Sequence, residues 1–188
     1  DDIVVLAGDF SWAMKLEDVV PDFNWLNTLK GTKIIIRGNH DYWWHSVSKV
    51  RSVLPQNVFA LQNDAIKIGN YIFCGNRGWL IPEGKNNNDE NNKIYARELI
   101  RLDLSLKSAQ ALKTADEKII YITHYPPFNN KVEPNEFTRM IEQAGVDTCI
   151  FAHLHGYINP KMMYNEINGV KYYLTSCDAL HNQLLEIE

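Results

Sequence analysis

The sequence has no uninterrupted run of the roughly 18 apolar residues that a membrane-crossing helix needs, so no membrane partner is expected. Cysteine is scarce. Cys74, Cys149 and Cys177 form no Cys-x-x-Cys spacing, and their odd number argues against a disulfide framework. Each lies in or beside an apolar run, so all three are expected as buried thiols in a reducing, cytoplasmic setting. Positive charge is not in excess: 19 Lys and Arg stand against 23 Asp and Glu, for a net charge of −4. A broad nucleic-acid surface is therefore not expected. A small anionic substrate stays compatible, because a bound metal reverses the local field. No internal repeat, linker or signal peptide is visible, and the 188 residues read as one domain.

What is present is organised around residues 34–41, Ile-Ile-Ile-Arg-Gly-Asn-His-Asp. Three β-branched residues read as a buried strand, and Gly38 ends it where a side chain would obstruct. Neighbouring side chains on extended backbone point opposite ways. Asn39 and His40 can thus serve one site in two roles, one as ligand and one as free acid or base.

The rest of the chain repeats this grammar. Residues 3–7 form another apolar run, closed by Gly8-Asp9. A helix over 22–30, with Phe23, Leu26 and Leu29 on one stripe and Gly31 as C-cap, would join the two strands in parallel. That places Asp9 and Asn39 side by side at one sheet edge, where open α/β folds bind ligands. A short helix ends before Pro55. Strands over 58–61, 65–68 and 71–74 follow, the last pair turning at Gly69-Asn70, and here the pattern changes from crossovers to antiparallel pairing. Residues 76–93, rich in Asn, read as a long exposed loop, and 94–115 as the longest helix. Strands over 118–123 and 147–152 flank a helix over 135–144. A hairpin joins 164–167 to 170–174 through Asn168-Gly169, and 184–187 reads as an edge strand.

Four apolar strands therefore end in Asp9, Asn39-His40, His124 and His153-x-His155. Carboxylate, amide oxygen and imidazole together suit manganese, iron or zinc, and no thiolate stands close enough in sequence to suggest a softer site.

Gly8-Asp9, Gly38-Asn39-His40-Asp41, His124 and Ala152-His153-Leu154-His155-Gly156 resemble, in order and spacing, the motif blocks of the calcineurin-like metallophosphoesterases. One departure is Ala152, where the family usually has glycine. The resemblance implies an α/β fold, a four-layer sandwich of two mixed β-sheets flanked by helices. It implies two transition-metal ions (manganese favoured, iron or zinc as alternatives) and a small phosphoester substrate, a diester or nucleotide-type compound, attacked by metal-activated hydroxide. One metal would be held by Asp9, Asn39, His124 and His153, and the other by Asp9 and His155. His40 is then no ligand but the general acid over the substrate, with Asp41 either fixing its tautomer or capping the next helix. Asn39 and His40 would also meet substrate, as would Arg37, unless it pairs with a nearby acid. Trp43, Trp44 and Trp79 read first as packing, with stacking on an aromatic leaving group left open. Residues 76–79, after a strand end, are a further candidate segment for reaching the site.

The family also carries an Asp-x-His upstream of Gly-Asp, and nothing before Asp9 matches it. The chain has no initiator methionine and opens in mid-pattern, so the domain is expected to be incomplete at its N-terminus. The other reading of the same fold is a metal-poor, non-catalytic binding scaffold, which would have no need of His40. The reading frame upstream of Asp1 is expected to encode a further strand with Asp-x-His. A start codon directly before Asp1 would contradict this.

Overall fold

The computed structural model describes residues 2–156 and 158–187. Its first strands are β1 (Ile3–Leu6), β2 (Thr32–Ile36) and β3 (Val58–Leu61). They form a small sheet in the order β1-β2-β3, with both pairings parallel. The helices α1 (Leu16–Thr28) and α2 (Val47–Arg51) make the crossovers. A larger, mixed sheet contains β4 (Asp64–Ile68), β5 (Tyr71–Asn76), β6 (Lys118–Thr123), β7 (Thr148–Phe151), β8 (Tyr164–Ile167) and β9 (Val170–Leu174). Its strand order is β4-β5-β6-β7-β9-β8. The remaining helices are α3 (Asp89–Leu112), α4 (Glu136–Gln143) and the single turn α5 (Pro160–Met163).

Alternation along the strands separates three cores. Ile35, Val58 and Ala60 face Val19, Phe23 and Leu26 of α1, with Trp43 and Trp44 fully buried beside them. Ile34 and Ile36 point the other way, onto Ile122 and Ile150 of the larger sheet. On that sheet's far side Ile72, Cys74, Ile119 and Tyr121 pack with Leu102, Leu106 and Ala109 of α3. The result is the expected sandwich of two sheets flanked by helices. The smaller sheet, expected to be mixed, is all-parallel.

Several local expectations need correction. Helix α1 begins six residues before 22, and Pro21, which marks a helix start when it stands at the first position, lies inside it. Burial of Val19 extends the helix past the missing amide. Leu29 is exposed, and the C-terminal carbonyls are met by buried Lys33, whose Nζ donates to Leu29 and Gly31. Residues 76–93 are not all loop: β5 runs to Asn76, Gly84–Asn86 is a 3₁₀ turn, and α3 starts at Asp89. Asn88 is the cap, its side chain accepting the Asn91 N–H at 3.0 Å. Residues 184–187 form no strand. Cys74 and Cys149 are buried, but Cys177 is exposed. Replacing Asn88 by alanine removes the cap and is expected to lower stability by about 1 kcal/mol, read from denaturant midpoints. No change would show that α3 is held by its packed face alone.

Candidate active site

The site is built where the tips of β1, β2, β6 and β7 meet, at the seam between the two sheets. Gly8 has φ 91°, and a Cβ there would lie 2.6 Å from His124 Nδ1 and 2.7 Å from Gly38 Cα. A Cβ on Gly38 would strike the Asp9 amide and carboxylate. The strand tips approach too closely for side chains, which explains both glycines. Asp9 follows at φ 57°, and His153 stands at φ 71°. Left-handed backbone at two non-glycine positions stores strain, a frequent mark of functional sites.

Asp41 holds this corner. Its buried carboxylate accepts the N–H groups of Gly38 at 2.7 Å, Asp9 at 2.9 Å and Phe10 at 3.0 Å. Burial raises its pKa, against those hydrogen bonds. The carboxylate is thus occupied with backbone. Among the described residues it makes no hydrogen bond to the His40 ring, nor does it cap α2, whose cap is Ser46.

Four side chains converge above it. His124 Nδ1 lies 2.8 Å from the Ala7 carbonyl, which can only accept, so Nδ1 carries the proton and Nε2 keeps a lone pair. That Nε2 is 2.7 Å from Asn39 Oδ1 and 3.3 Å from Asp9 Oδ2. His153 Nδ1 is 2.9 Å from Asn39 Oδ1 and 3.2 Å from His124 Nε2. Three lone-pair atoms thus crowd one another, and a single proton on His153 cannot serve them all. A cation removes the conflict. Donors about 2.1 Å from one ion at right angles stand about 3 Å apart, the spacing seen here. Among the described residues no group of three or more His, Cys, Asp or Glu is by itself arranged to hold a metal. Asn39 Oδ1, an amide oxygen outside those residue types, joins the group.

The electrostatics suit ligands. Burial works against the Asp9 charge, but the His124 ring beside it and the hydrogen bond from the His40 amide outweigh it, holding its pKa below the ordinary range. Burial, then His124, pushes His153 down to about 4, so its ring is neutral and able to donate a lone pair at neutral pH.

His155 stands apart from these four. Its exposed ring places Nδ1 3.1 Å from Asp178 Oδ1, while the other Asp178 oxygen accepts the Gly156 N–H at 2.9 Å. That backbone bond, more than His155, holds Asp178 below the usual carboxylate range. Asp178 was not foreseen, since no motif marks an acid so far downstream. His40 is exposed, its N–H donating to Asp9 Oδ1 at 2.7 Å and its ring lying between Trp12 and Tyr42 at 5.7 and 6.1 Å. Arg37 has a buried Nε with no hydrogen-bond partner among the described residues, and burial, then Arg77, lowers its pKa. Trp43 and Trp44 belong to the core. Trp79 reaches the cluster only through Tyr125, whose ring lies 4.2 Å from His153. Arg77 of the same segment lies over Trp79 and receives the His124 and Tyr125 amides on its carbonyl.

The model of the calcineurin-like phosphoesterase family matches residues 1–157. No curated protein sequence matches significantly. Among solved structures, the crystal structure of TT1561 of Thermus thermophilus is similar, with a TM-score of 0.62 at 15% identity. The match covers 92% of this chain and 76% of that one, a likeness of fold. No helix among the described residues is long and apolar enough to cross a membrane.

The depressed His153 gives a pH prediction. Between about 6.5 and about 4 its ring is neutral when folded and protonated when unfolded. The unfolded chain binds the extra proton, so metal-free protein loses stability as pH falls through that window. In metal-free protein the His153 ring resonance is expected to titrate near 4. A midpoint at the ordinary value would contradict the packing described.

Proposed function

The chain belongs to the calcineurin-like phosphoesterase family, and from that membership we propose that it hydrolyses a phosphodiester or nucleotide-type substrate with His40 as general acid. The family is one of metal-dependent phosphoester hydrolases, generally loaded with divalent ions. The observation that carries the reading is the crowding of acceptor atoms around Asn39 Oδ1. Asp9, Asn39, His124 and His153 would hold one ion, and Asp9 and His155 would contribute to a second. The donor set suits manganese first, with iron or zinc as alternatives. Bound ions supply Lewis acidity, lowering the pKa of water and neutralising charge on phosphoryl oxygens.

The chain's own residues do the rest. His40 is tied to Asp9 through its backbone, so its ring is outside the ligand group and free to give a proton to a leaving alkoxide. Asp41 positions His40 indirectly, by fixing the turn that carries it. Arg37, half-buried just after β2, would offer its guanidinium to a phosphoryl oxygen. Free Cys74, Cys149 and Cys177 accord with a cytoplasmic setting.

Asn39→Ala and His153→Ala are expected to lose metal by elemental analysis. His40→Ala should keep its metal and lose about a hundredfold or more in kcat on an alkyl phosphodiester, whose leaving alkoxide needs a proton, with a smaller loss on bis(p-nitrophenyl) phosphate. Loss of metal from His40→Ala, or full turnover by it, would overturn the role assigned to His40.

A further inference from the structure

Beside His40 lies an open cavity of about 490 Å³ lined by Phe10, Ser11, Trp12, Ala13, Asp18, Asp22 and Trp25. Its size is that of a small-molecule site. Two of its walls are indoles left in water: Trp12 is 86% exposed and Trp25 60%. Helix α1 buries Val19, Phe23 and Leu26 on one face. The stripe adjoining that face, Asp18, Asp22 and Trp25 at i, i+4 and i+7, lines the cavity. Phe10 is held by stacking on Phe23 at 5.7 Å.

Among the described residues the lining has no Lys, Arg or His. Its one neutral hydroxyl is already committed, Ser11 Oγ donating to Asp22 Oδ2 at 2.5 Å. Asp18 and Asp22 are like charges one helical turn apart, an arrangement that costs stability unless a cation joins it. Asp18 gains from the helix N-terminus. Asp22, one turn further on, does not. Carboxylates repel a phosphate, and a neutral aromatic ring would gain from the indoles but leave the paired charges unmet. An ammonium satisfies both, by cation–π contact with the indoles and by attraction to the acids.

We propose that this cavity takes the cationic end of the leaving group, so that the substrate is a phosphoester of an amino or quaternary ammonium alcohol. This rests on the reading of His40 as general acid. The Trp12 ring both lines the cavity and lies 5.7 Å from the His40 ring, so an alcohol protonated by His40 extends across Trp12 into it. Hydrolysis consumes one water. Its oxygen bonds to phosphorus as the bond to the alcohol oxygen breaks, and that oxygen leaves with the His40 proton. The products are the ammonium alcohol and the remaining phosphate or phosphomonoester.

Choline, titrated into the full protein by saturation-transfer NMR, should bind about tenfold tighter than its neutral isostere, in which carbon replaces nitrogen. Trp12→Ala and Asp22→Asn should each weaken choline binding, while Trp12→Phe keeps most of it. Trp12 is so exposed that its removal leaves the fold intact. Equal binding of choline and the isostere, or undiminished binding in Trp12→Ala and Asp22→Asn, would overturn the proposal. Binding needs no turnover, so the two readings fail separately. Choline binding without any diester hydrolysis would remove the hydrolase reading and keep the cavity assignment. Diester hydrolysis without choline preference would remove the cavity assignment alone.

Discussion

Gly38 lies against Asp9 so closely that a methyl group in its place would collide with the Asp9 amide and carboxylate. That contact holds the tips of β1 and β2 together, and Asp41 locks it by taking N–H groups from both. With the tips so joined, Asp9 is forced into left-handed backbone, a cost of about 1–3 kcal/mol that the Asp41 hydrogen bonds help to offset. The strain has a result: the Asp9 carboxylate comes within 3.3 Å of His124, a residue of the other sheet.

The seam between the sheets sets the remaining distances. Ile34 and Ile36 from one side and Ile122 and Ile150 from the other fill the gap directly beneath the site. These residues fix how far β2 stands from β6 and β7. His124 crosses the seam at both ends of its ring, Nδ1 to the Ala7 carbonyl and Nε2 to Asn39. Neither sheet carries the cluster alone. A change in the intersheet core therefore acts on the spacing of Asp9, Asn39, His124 and His153 as well as on stability.

Much of this was legible in the sequence. The strand tips announced themselves through apolar runs ending in glycine or a polar residue, and Asn168-Gly169 marked its hairpin. These signals are local, so they survive folding unchanged. What was hidden depends on tertiary context. The helix was expected to begin at 22, because the burial of Val19, which carries it back to Leu16, cannot be seen in one dimension. The Asn tract looked like loop because Asn88 becomes a cap only when α3 follows it. Asp41 was expected to serve His40 or a helix, whereas the crowding of β1 against β2 draws it to the backbone. Asp178 meets His155 only after the chain has passed through β8 and β9, and no spacing rule covers that distance. Trp12 and Trp25 carried no signal at all. Their exposure, not their identity, makes them informative.

The central claim is that the lone pairs around Asn39 Oδ1 are arranged for a cation. Electron spin-echo spectroscopy of the protein loaded with manganese(II) tests it most directly, because directly bound imidazole nitrogens couple to the metal spin. The account predicts couplings from His124 and His153 in the intact protein, both lost together with the metal in His153→Ala. A spectrum without imidazole coupling, or one unchanged by that substitution, would contradict it.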